Sequence, residues 1–264
     1  MVDVLAETER PYARMALMRV LRELASSHGS SLGELPIHGA AVAAGEGVTL
    51  FVGEKGAGKS TLLVHALMHE GTRYVSNDRA FVRLGSGAPR AYGMPTIVSL
   101  REGTLALSER LRDAVSSGAW HYGSTVSEAR ANRVMRTLAE GTGLRWPPGL
   151  SPAQLCALLR VEPIAGGELA RIVFPEICPT QGRTPRFSLR RLSREQASTR
   201  LLESGLFADG RSATFVSGMP PPERSTLEAA VRELGGSVAC LSCVLGPDAY
   251  VPPSVWDAIR DFPE

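Results

Sequence analysis

The chain has 264 residues, of which 44% are hydrophobic and 21% are charged, as in ordinary globular domains. Its 29 basic and 27 acidic residues leave a formal net charge of +2, so composition does not indicate a surface for nucleic acids or membranes. We find no apolar run of membrane-spanning length and no secretory signal pattern. We therefore expect a cytoplasmic protein without nucleic-acid or membrane partners.

Hydrophobic periodicity predicts alternating helices and strands along the chain. An amphipathic helix is expected at residues 11–27, ended by 28–31, with an apolar stripe of Met15, Met18, Leu21 and Leu24 that packs on the core. Further strands are predicted at 36–43, 48–52, 73–76, 81–84, 168–175 and 238–245, and further helices at 61–68, from 151, at 193–202 and at 222–234. This mixture predicts an α/β fold, preceded by an N-terminal helical arm at residues 1–35.

Residues 116–150 differ from their surroundings, because polar and arginine-rich sequence replaces the strand and helix patterns. We expect an inserted lid here, with a helix near residues 127–139. Trp120 either stacks on a nucleobase or anchors the insertion to the core. Arg133 lies in a row of arginines spaced along one helix face, and such a row would suit a lid over an anionic group.

Cys240 and Cys243 form a Cys-x-x-Cys pair, which is common in zinc and redox sites. A zinc site needs further ligands at suitable spacing, and the sequence contains no second pair. The surrounding residues 238–245 have the composition of a buried strand. We therefore expect both thiols to be small core residues.

Residues 53–60 fit the phosphate-binding pattern G-x-x-x-x-G-K-[ST], between a predicted strand and a predicted helix. In such a loop, backbone N–H groups wrap the phosphates, a lysine reaches the β- and γ-phosphates, and a hydroxyl ligates Mg²⁺. The predicted nucleotide-binding residues are Gly53, Glu54, Lys55, Gly56, Ala57, Gly58, Lys59, Ser60 and Thr61.

Two of the 29 basic residues are lysines, and both lie in this loop. Lys59 occupies the lysine position of the pattern, which a wide, planar guanidinium would not enter easily. We expect Lys59 to neutralise the phosphates and Ser60 to ligate Mg²⁺. Lys55 is expected to be an exposed residue of the same loop with no special role.

Asp78 follows the predicted strand at 73–76, and in parallel sheets such strand ends face the ligand crevice. It is expected either to deprotonate an acceptor hydroxyl or to hold the metal, the alternative being an aspartate that caps a turn. His38 either orients Asp78 or is a structural residue of its own strand. Asn77 is a candidate for positioning a phosphate or a water molecule.

This order of elements resembles the catalytic domain of HPr kinase/phosphorylase, which is related to the phosphoenolpyruvate carboxykinases. The matching segments are I-H-G-A-A-V at 37–42, the loop at 53–61 and V-S-N-D-R at 75–79, with a weaker match at 92–95. The resemblance covers about residues 36–101. It implies a P-loop kinase domain at 36–264 with a mixed sheet and flanking helices, ATP or GTP as phosphoryl donor, and Mg²⁺. The related kinases are oligomers, and whether this chain is a homo-oligomer stays open.

The chain departs from that family at two positions. Asn77 stands where the family has the first of two adjacent aspartates, and the segment around Tyr92 lacks the family's glutamate. We expect a kinase that phosphorylates the hydroxyl of a small metabolite, such as a nucleoside or another natural-product precursor. The alternatives are a serine kinase acting on a peptide or protein, and a nucleotide-binding module without catalysis. The candidate acceptor-binding residues are Arg79, Arg101, Trp120 and Arg133.

Overall fold

The computed structural model of the chain describes residues 11–94, 96–105, 107–116, 149–178, 187–205, 223–246 and 254–263. The predicted lid at 116–150, with Trp120 and Arg133, lies outside the described residues except at its two ends. Within the described ranges, no helix is long and apolar enough to cross a membrane.

The described part of the chain contains both helices and strands. The helices are α1 (Pro11–Ser31), α2 (Lys59–Leu67), α3 (Glu102–Leu105), α4 (Glu109–Ser116), α5 (Pro152–Leu159), α6 (Arg194–Arg200), α7 (Arg224–Ser237) and α8 (Ser254–Arg260), and a π-helical turn follows α6 at Leu201–Gly205. The strands are β1 (Glu34–Ala44), β2 (Gly47–Val52), β3 (Thr72–Ser76), β4 (Arg79–Arg83), β5 (Arg90–Met94), β6 (Val98–Ser99), β7 (Gly149–Leu150), β8 (Gly166–Ile177), β9 (Phe187–Arg191) and β10 (Ala239–Leu245).

Eight of these strands form one mixed sheet, while β6 and β7 form a separate two-stranded ladder. The neighbours β2, β8 and β10 are parallel, and the other pairings in the large sheet are antiparallel. The pairings β1–β2, β2–β8, β8–β5, β5–β4 and β4–β1 form a closed ring, so the sheet is strongly curved there. The predicted α/β architecture with a mixed sheet is confirmed.

The two faces of the sheet carry separate hydrophobic clusters. One cluster packs β2 and β10 against α2, α4, α5 and α8, and includes the fully buried Phe51, whose ring contacts Trp256 edge-on at 6.2 Å between centroids. The other cluster packs the opposite face of the sheet against α6 and α7, through residues such as Val231 and Leu234. Because side chains alternate across a strand, β1, β2, β8 and β10 each contribute to both clusters.

The cysteine prediction is confirmed by this alternation. Cys240 and Cys243 are both buried in β10, but Cys240 belongs to the cluster at α7 and Cys243 to the cluster at α2. Three residues apart on a strand, their side chains point to opposite faces. Burial raises the pKa of each thiol to about 12, so both stay protonated and act as small apolar side chains.

Helix α1 differs from its prediction in two respects. It continues to Ser31, through the residues that were expected to end it, and Leu21 of the predicted apolar stripe is 48% exposed. Gly29 explains the first difference, because it is the point where α1 touches β4. A Cβ at Gly29 would lie 2.8 Å from the Phe81 ring, so the glycine allows close packing and does not end the helix.

The helix starts were easier to predict than the helix ends. Ser151 and Ser193 each cap a helix with a reciprocal pair of bonds, in which the serine hydroxyl accepts from the backbone N–H three residues later and the glutamine there accepts from the serine N–H. Both capping boxes follow directly from the sequence S-x-x-Q.

We expect Gly93→Ala to lower the free energy of unfolding by at least about 2 kcal/mol, as overpacking does elsewhere. A Cβ at Gly93 would lie 2.1 Å from the backbone oxygen of Val75, and a backbone atom cannot move aside as a flexible side chain can. Chemical denaturation measures the effect. The control is Gly85→Ala, where nothing lies within 4 Å; equal stability of the two variants would contradict the prediction.

Candidate functional site

A glycine-rich loop joins β2 to α2 at the ends of three parallel strands. We name residues 53–60 the glycine loop. It lies beside the carboxyl ends of β8 and β10, because a Cβ at Gly58 would sit 3.3 Å from the Ile177 side chain and 3.4 Å from that of Leu245. In open α/β sheets, ligands bind at this end of parallel strands.

Two glycines give the loop its shape. Gly56 and Gly58 have φ angles of 96° and 110°, a backbone conformation that residues with a Cβ rarely adopt. Gly58 immediately precedes α2, whose first backbone N–H groups have no partners earlier in the helix. These amides and the positive end of the helix dipole favour an anion in front of the loop.

Lys59 is buried, with 9% of its surface exposed. Its Nζ donates to the backbone oxygens of Gly53 at 2.5 Å and Glu54 at 2.9 Å, so the ammonium turns back over the loop. Burial lowers the pKa of Lys59, and the positive charge of Arg101 acts in the same direction, while Asp78 and Glu54 oppose the shift. Lys55 is exposed, as expected.

Asp78 lies between β3 and β4, with two basic side chains beside its carboxylate. His38 Nε2 is 3.5 Å from Asp78 Oδ1, and Arg79 Nε is 3.9 Å from Asp78 Oδ2. The backbone N–H of Gly39 donates to the Asp78 carbonyl at 3.0 Å, which fixes the Asp78 backbone against β1. His38 is thus in position to orient Asp78, one of the two predicted roles.

The carboxyl of Asp78 has a lowered pKa. Burial by itself acts in the opposite direction, but it is outweighed by the hydrogen bond and charge of His38 and by the charges of Arg79 and Arg22. Asp78 is therefore ionised at neutral pH. An ionised carboxylate accepts a hydrogen bond from an acceptor hydroxyl and is a good oxygen ligand for Mg²⁺.

Asn77 does not have the role expected for it. Its side chain is 8% exposed, and its Oδ1 accepts from the hydroxyl of Tyr74 at 2.6 Å and from the backbone N–H of Thr96 at 3.1 Å. Its Nδ2 donates to the Thr96 hydroxyl at 3.1 Å and to the Ile97 carbonyl at 3.2 Å. With its amide fully used inside the protein, Asn77 ties β3 to the segment after β5 and is not aimed at a phosphate or water.

Arg101 is brought to the glycine loop, whereas Arg79 points elsewhere. Arg101 Nη1 would be 3.5 Å from a Cβ at Gly56, and its charge acts on Lys59. Arg79 donates from Nη1 to the Ser26 hydroxyl of α1 at 3.2 Å, so its guanidinium bridges Asp78 and that helix. The other two candidate acceptor residues, Trp120 and Arg133, lie outside the described residues.

The buried hydroxyl of Thr61, predicted to bind the nucleotide, contacts a second threonine. Thr61 Oγ1 and Thr104 Oγ1 are 3.3 Å apart, and this contact joins α2 to α3. Because Arg101 immediately precedes α3, the threonine pair also helps to place Arg101 beside the loop. No sequence pattern indicated Thr104, since it lies 43 positions from its partner.

The described residues contain no group of three or more histidine, cysteine, aspartate or glutamate side chains that could hold a metal ion. A Mg²⁺ ion that is bound mainly by phosphate oxygens and water needs fewer protein ligands. The Ser60 hydroxyl at the start of α2 and the ionised Asp78 carboxylate are both oxygen donors of the kind that Mg²⁺ prefers, so they fit such an ion.

No protein-family model matches the chain, and no curated protein matches it. Among solved structures, the chain is similar to the Hpr(Ser) kinase/phosphatase from Coxiella burnetii, with 10% sequence identity and a TM-score of 0.37. That match covers 86% of this chain and 88% of the other. The functional proposal below rests on the geometry of the site.

We expect Asn77→Asp to destabilise the protein by about 2–4 kcal/mol, because a carboxylate cannot donate to the Ile97 carbonyl and its charge is placed in a buried position. Chemical denaturation at neutral pH measures the change. The Asn77→Asp/Asp78→Asn double variant has the composition and charge of the wild type, and should be no more stable than the single variant. Wild-type stability in either variant would show that Asn77 has no bracing role.

We expect the stability advantage of the wild type over Asp78→Asn to depend on pH in the acid range. The folded state lowers the pKa of Asp78, so the ionised carboxylate stabilises the fold above the unfolded value of about 3.9, and this contribution is lost as pH falls through the folded value. Denaturation curves between pH 6 and pH 2 measure the difference. An advantage that grows toward low pH would contradict the sign of the shift.

Proposed function

We propose that the protein is a kinase that transfers the γ-phosphoryl group of ATP or GTP to the hydroxyl of a small molecule. The observation that carries the proposal is the buried Lys59 in the glycine loop, in electrostatic contact with the ionised Asp78. A lysine buried beside backbone amides at a helix start provides a positive site, and Asp78 provides a negative one close by. Phosphoryl transfer needs both, because positioning and charge stabilisation account for most of its catalysis.

The glycine loop binds the donor in this proposal. The backbone N–H groups of residues 54–60 donate hydrogen bonds to the β-phosphate, and the Lys59 ammonium exchanges the carbonyls of Gly53 and Glu54 for phosphate oxygens. The exchange is favourable because burial disfavours the charged form of Lys59, and a phosphate provides a full negative charge that stabilises the ammonium. Ser60 and Asp78 would hold Mg²⁺, which neutralises charge on the phosphates.

Asp78 receives the acceptor hydroxyl. Because its carboxylate is ionised at neutral pH, it accepts a hydrogen bond from the hydroxyl and directs the oxygen toward the phosphorus. His38 positions this carboxylate from β1. Arg101, beside Gly56, adds a second positive charge at the glycine loop.

The bonding of Asn77 bears on the alternative of a non-catalytic module. The absence of a second acid at position 77 would by itself favour that alternative. The amide of Asn77 braces β3, and an ionised acid there could not make the hydrogen bond to the Ile97 carbonyl. These bonds therefore account for an asparagine at position 77 whether or not the site is catalytic.

We expect Lys59→Ala to lower kcat/KM by about 100-fold or more, because it removes the buried charge that faces the transferring phosphoryl group. Lys55→Ala is a matched control, since Lys55 is the other lysine of the same loop and is exposed, and it should stay within about twofold of the wild type. Nucleotide consumption with Mg²⁺-ATP and Mg²⁺-GTP measures both. Near-normal turnover of Lys59→Ala would refute the proposed mechanism.

The reaction itself is tested by incubating the wild type and Mg²⁺-nucleotide with nucleosides, sugar alcohols and serine peptides. The product masses should show the gain of one phosphoryl group on a small alcohol. A phosphorylated peptide as the only product would favour the serine-kinase alternative. Nucleotide binding without transfer to any member of the panel would favour the non-catalytic module.

A further inference from the structure

Arg101 is a second basic side chain at the glycine loop, and it differs from Lys59 in exposure. Its Nη1 would be 3.5 Å from a Cβ at Gly56, and both Arg101 and Gly56 are exposed. Lys59 is buried; burial lowers its pKa, and the charge of Arg101 adds to this shift. Two positive charges therefore repel each other across one loop, and an anion that contacts both would relieve the repulsion.

The backbone of Arg101 is held in place although its side chain is exposed. The neighbouring Leu100 is fully buried, and the Arg101 carbonyl accepts from the N–H groups of Thr104 and Leu105, each at 2.9 Å. Thr104 Oγ1 lies 3.3 Å from Thr61 Oγ1, and both of these threonines are buried. The start of α3 is thus attached to the helix that follows the glycine loop, which keeps Arg101 beside that loop.

The guanidinium of Arg101 is available to a ligand. Among the described residues, no carboxylate forms an ion pair with it, and no side chain or carbonyl accepts a hydrogen bond from it. Asp78, the acid nearest to the site chemistry, has its ion pairs with His38 and Arg79 instead. Binding a phosphate at Arg101 therefore breaks no contact within this part of the protein.

The position of Arg101 indicates which phosphate of a nucleotide it would meet. In loops of this sequence pattern, backbone N–H groups wrap the phosphate chain and the lysine reaches the β- and γ-phosphates. Because the charge of Arg101 acts on that lysine, Arg101 lies toward the γ-phosphate end of the chain. A terminal phosphate has three free oxygens, and a planar guanidinium can donate to two of them at once.

We infer that Arg101 binds the terminal phosphate of the donor and makes the site prefer a nucleoside triphosphate to a diphosphate. This inference rests on the proposed use of ATP or GTP, and it assigns Arg101 to the donor, whereas the sequence placed it among the acceptor-binding candidates. A nucleoside diphosphate lacks the terminal phosphate and therefore lacks the contact. Arg101 would thus distinguish the donor from the diphosphate that remains after transfer.

The test compares two nucleotides that differ by the terminal phosphate. Isothermal titration calorimetry of the full chain with Mg²⁺ gives the affinity for ADP and for the β,γ-imido analogue of ATP, which resists transfer, and the matching guanine pair is measured in parallel. The ratio of the two affinities is the triphosphate preference. The affinity for ADP also shows whether the glycine loop is intact in each variant.

We expect the wild type to prefer the analogue at least about tenfold, and Arg101→Met to reduce this preference by about tenfold while changing the ADP affinity less than about threefold. A unit charge roughly 8 Å away through water would alter the preference only about two- to threefold, so the larger loss indicates direct contact. Arg224→Met is the control, because it also removes one positive charge, but from α7 on the other face of the sheet, where the Arg224 side chain is 92% exposed. It should keep the full preference.

Each other outcome decides against one of the two hypotheses. Equal wild-type affinity for both nucleotides, a loss of preference below about threefold in Arg101→Met, or an equal loss of affinity for both nucleotides would overturn the assignment of Arg101 while leaving nucleotide binding intact. The expected dependence on Arg101 without phosphoryl transfer to any alcohol would support the assignment and count against the kinase. Failure of the wild type to bind either nucleotide of both pairs would refute the proposed function, and the assignment of Arg101 would fall with it.

Discussion

Strand β1 pairs with β2 along one edge and with both β3 and β4 along the other. This threefold pairing fixes the distance between the glycine loop, which follows β2, and Asp78, which lies between β3 and β4. Gly39 of β1 contacts both neighbouring segments. Its N–H donates to the Asp78 carbonyl on one side, and on the other a Cβ at this position would lie 2.8 Å from the carbonyl oxygen of Phe51 in β2. The relative position of Lys59 and Asp78 is therefore set by a backbone contact that only glycine permits.

The same arrangement limits the electrostatic cost of burying Lys59. Taking an ammonium out of water costs several kcal/mol unless it finds hydrogen-bond partners or an opposite charge. The carbonyls of Gly53 and Glu54 provide the partners, and Asp78 provides the charge across β1. Because none of these is a tight ion pair with Lys59, the ammonium remains able to exchange them for a stronger anionic partner. The site is thus stable enough to fold and still favourable for a phosphate.

The part of the candidate site around the glycine loop was predictable because it is local. The strand β2, the glycine loop and the start of α2 are consecutive in sequence, and the capping serines of α5 and α6 act within one helical turn. The bracing role of Asn77 was not predictable, since two of its partners are Thr96 and Ile97, which reach it only after β4 and β5 have folded back. The end of α1 was predicted too early for the same reason. The glycine at position 29 is explained by its close packing on the Phe81 ring, which is distant in sequence, and not by its neighbours in the helix.

This division between local and distant contacts follows the chemistry of the proposed reaction. Binding a nucleotide phosphate requires backbone amides and one ammonium, which a single short segment can supply. The surroundings of Asp78, by contrast, are made by side chains from separate elements, because His38 comes from β1, Arg79 from β4 and the charge of Arg22 from α1. Helix α1 was predicted as an arm outside the kinase domain at 36–264, and the Arg79–Ser26 bond joins the two next to Asp78. Helix α1 therefore acts on the surroundings of Asp78 through the Ser26–Arg79 bond and through the charge of Arg22, contacts between positions that are too far apart in sequence for a local pattern to indicate.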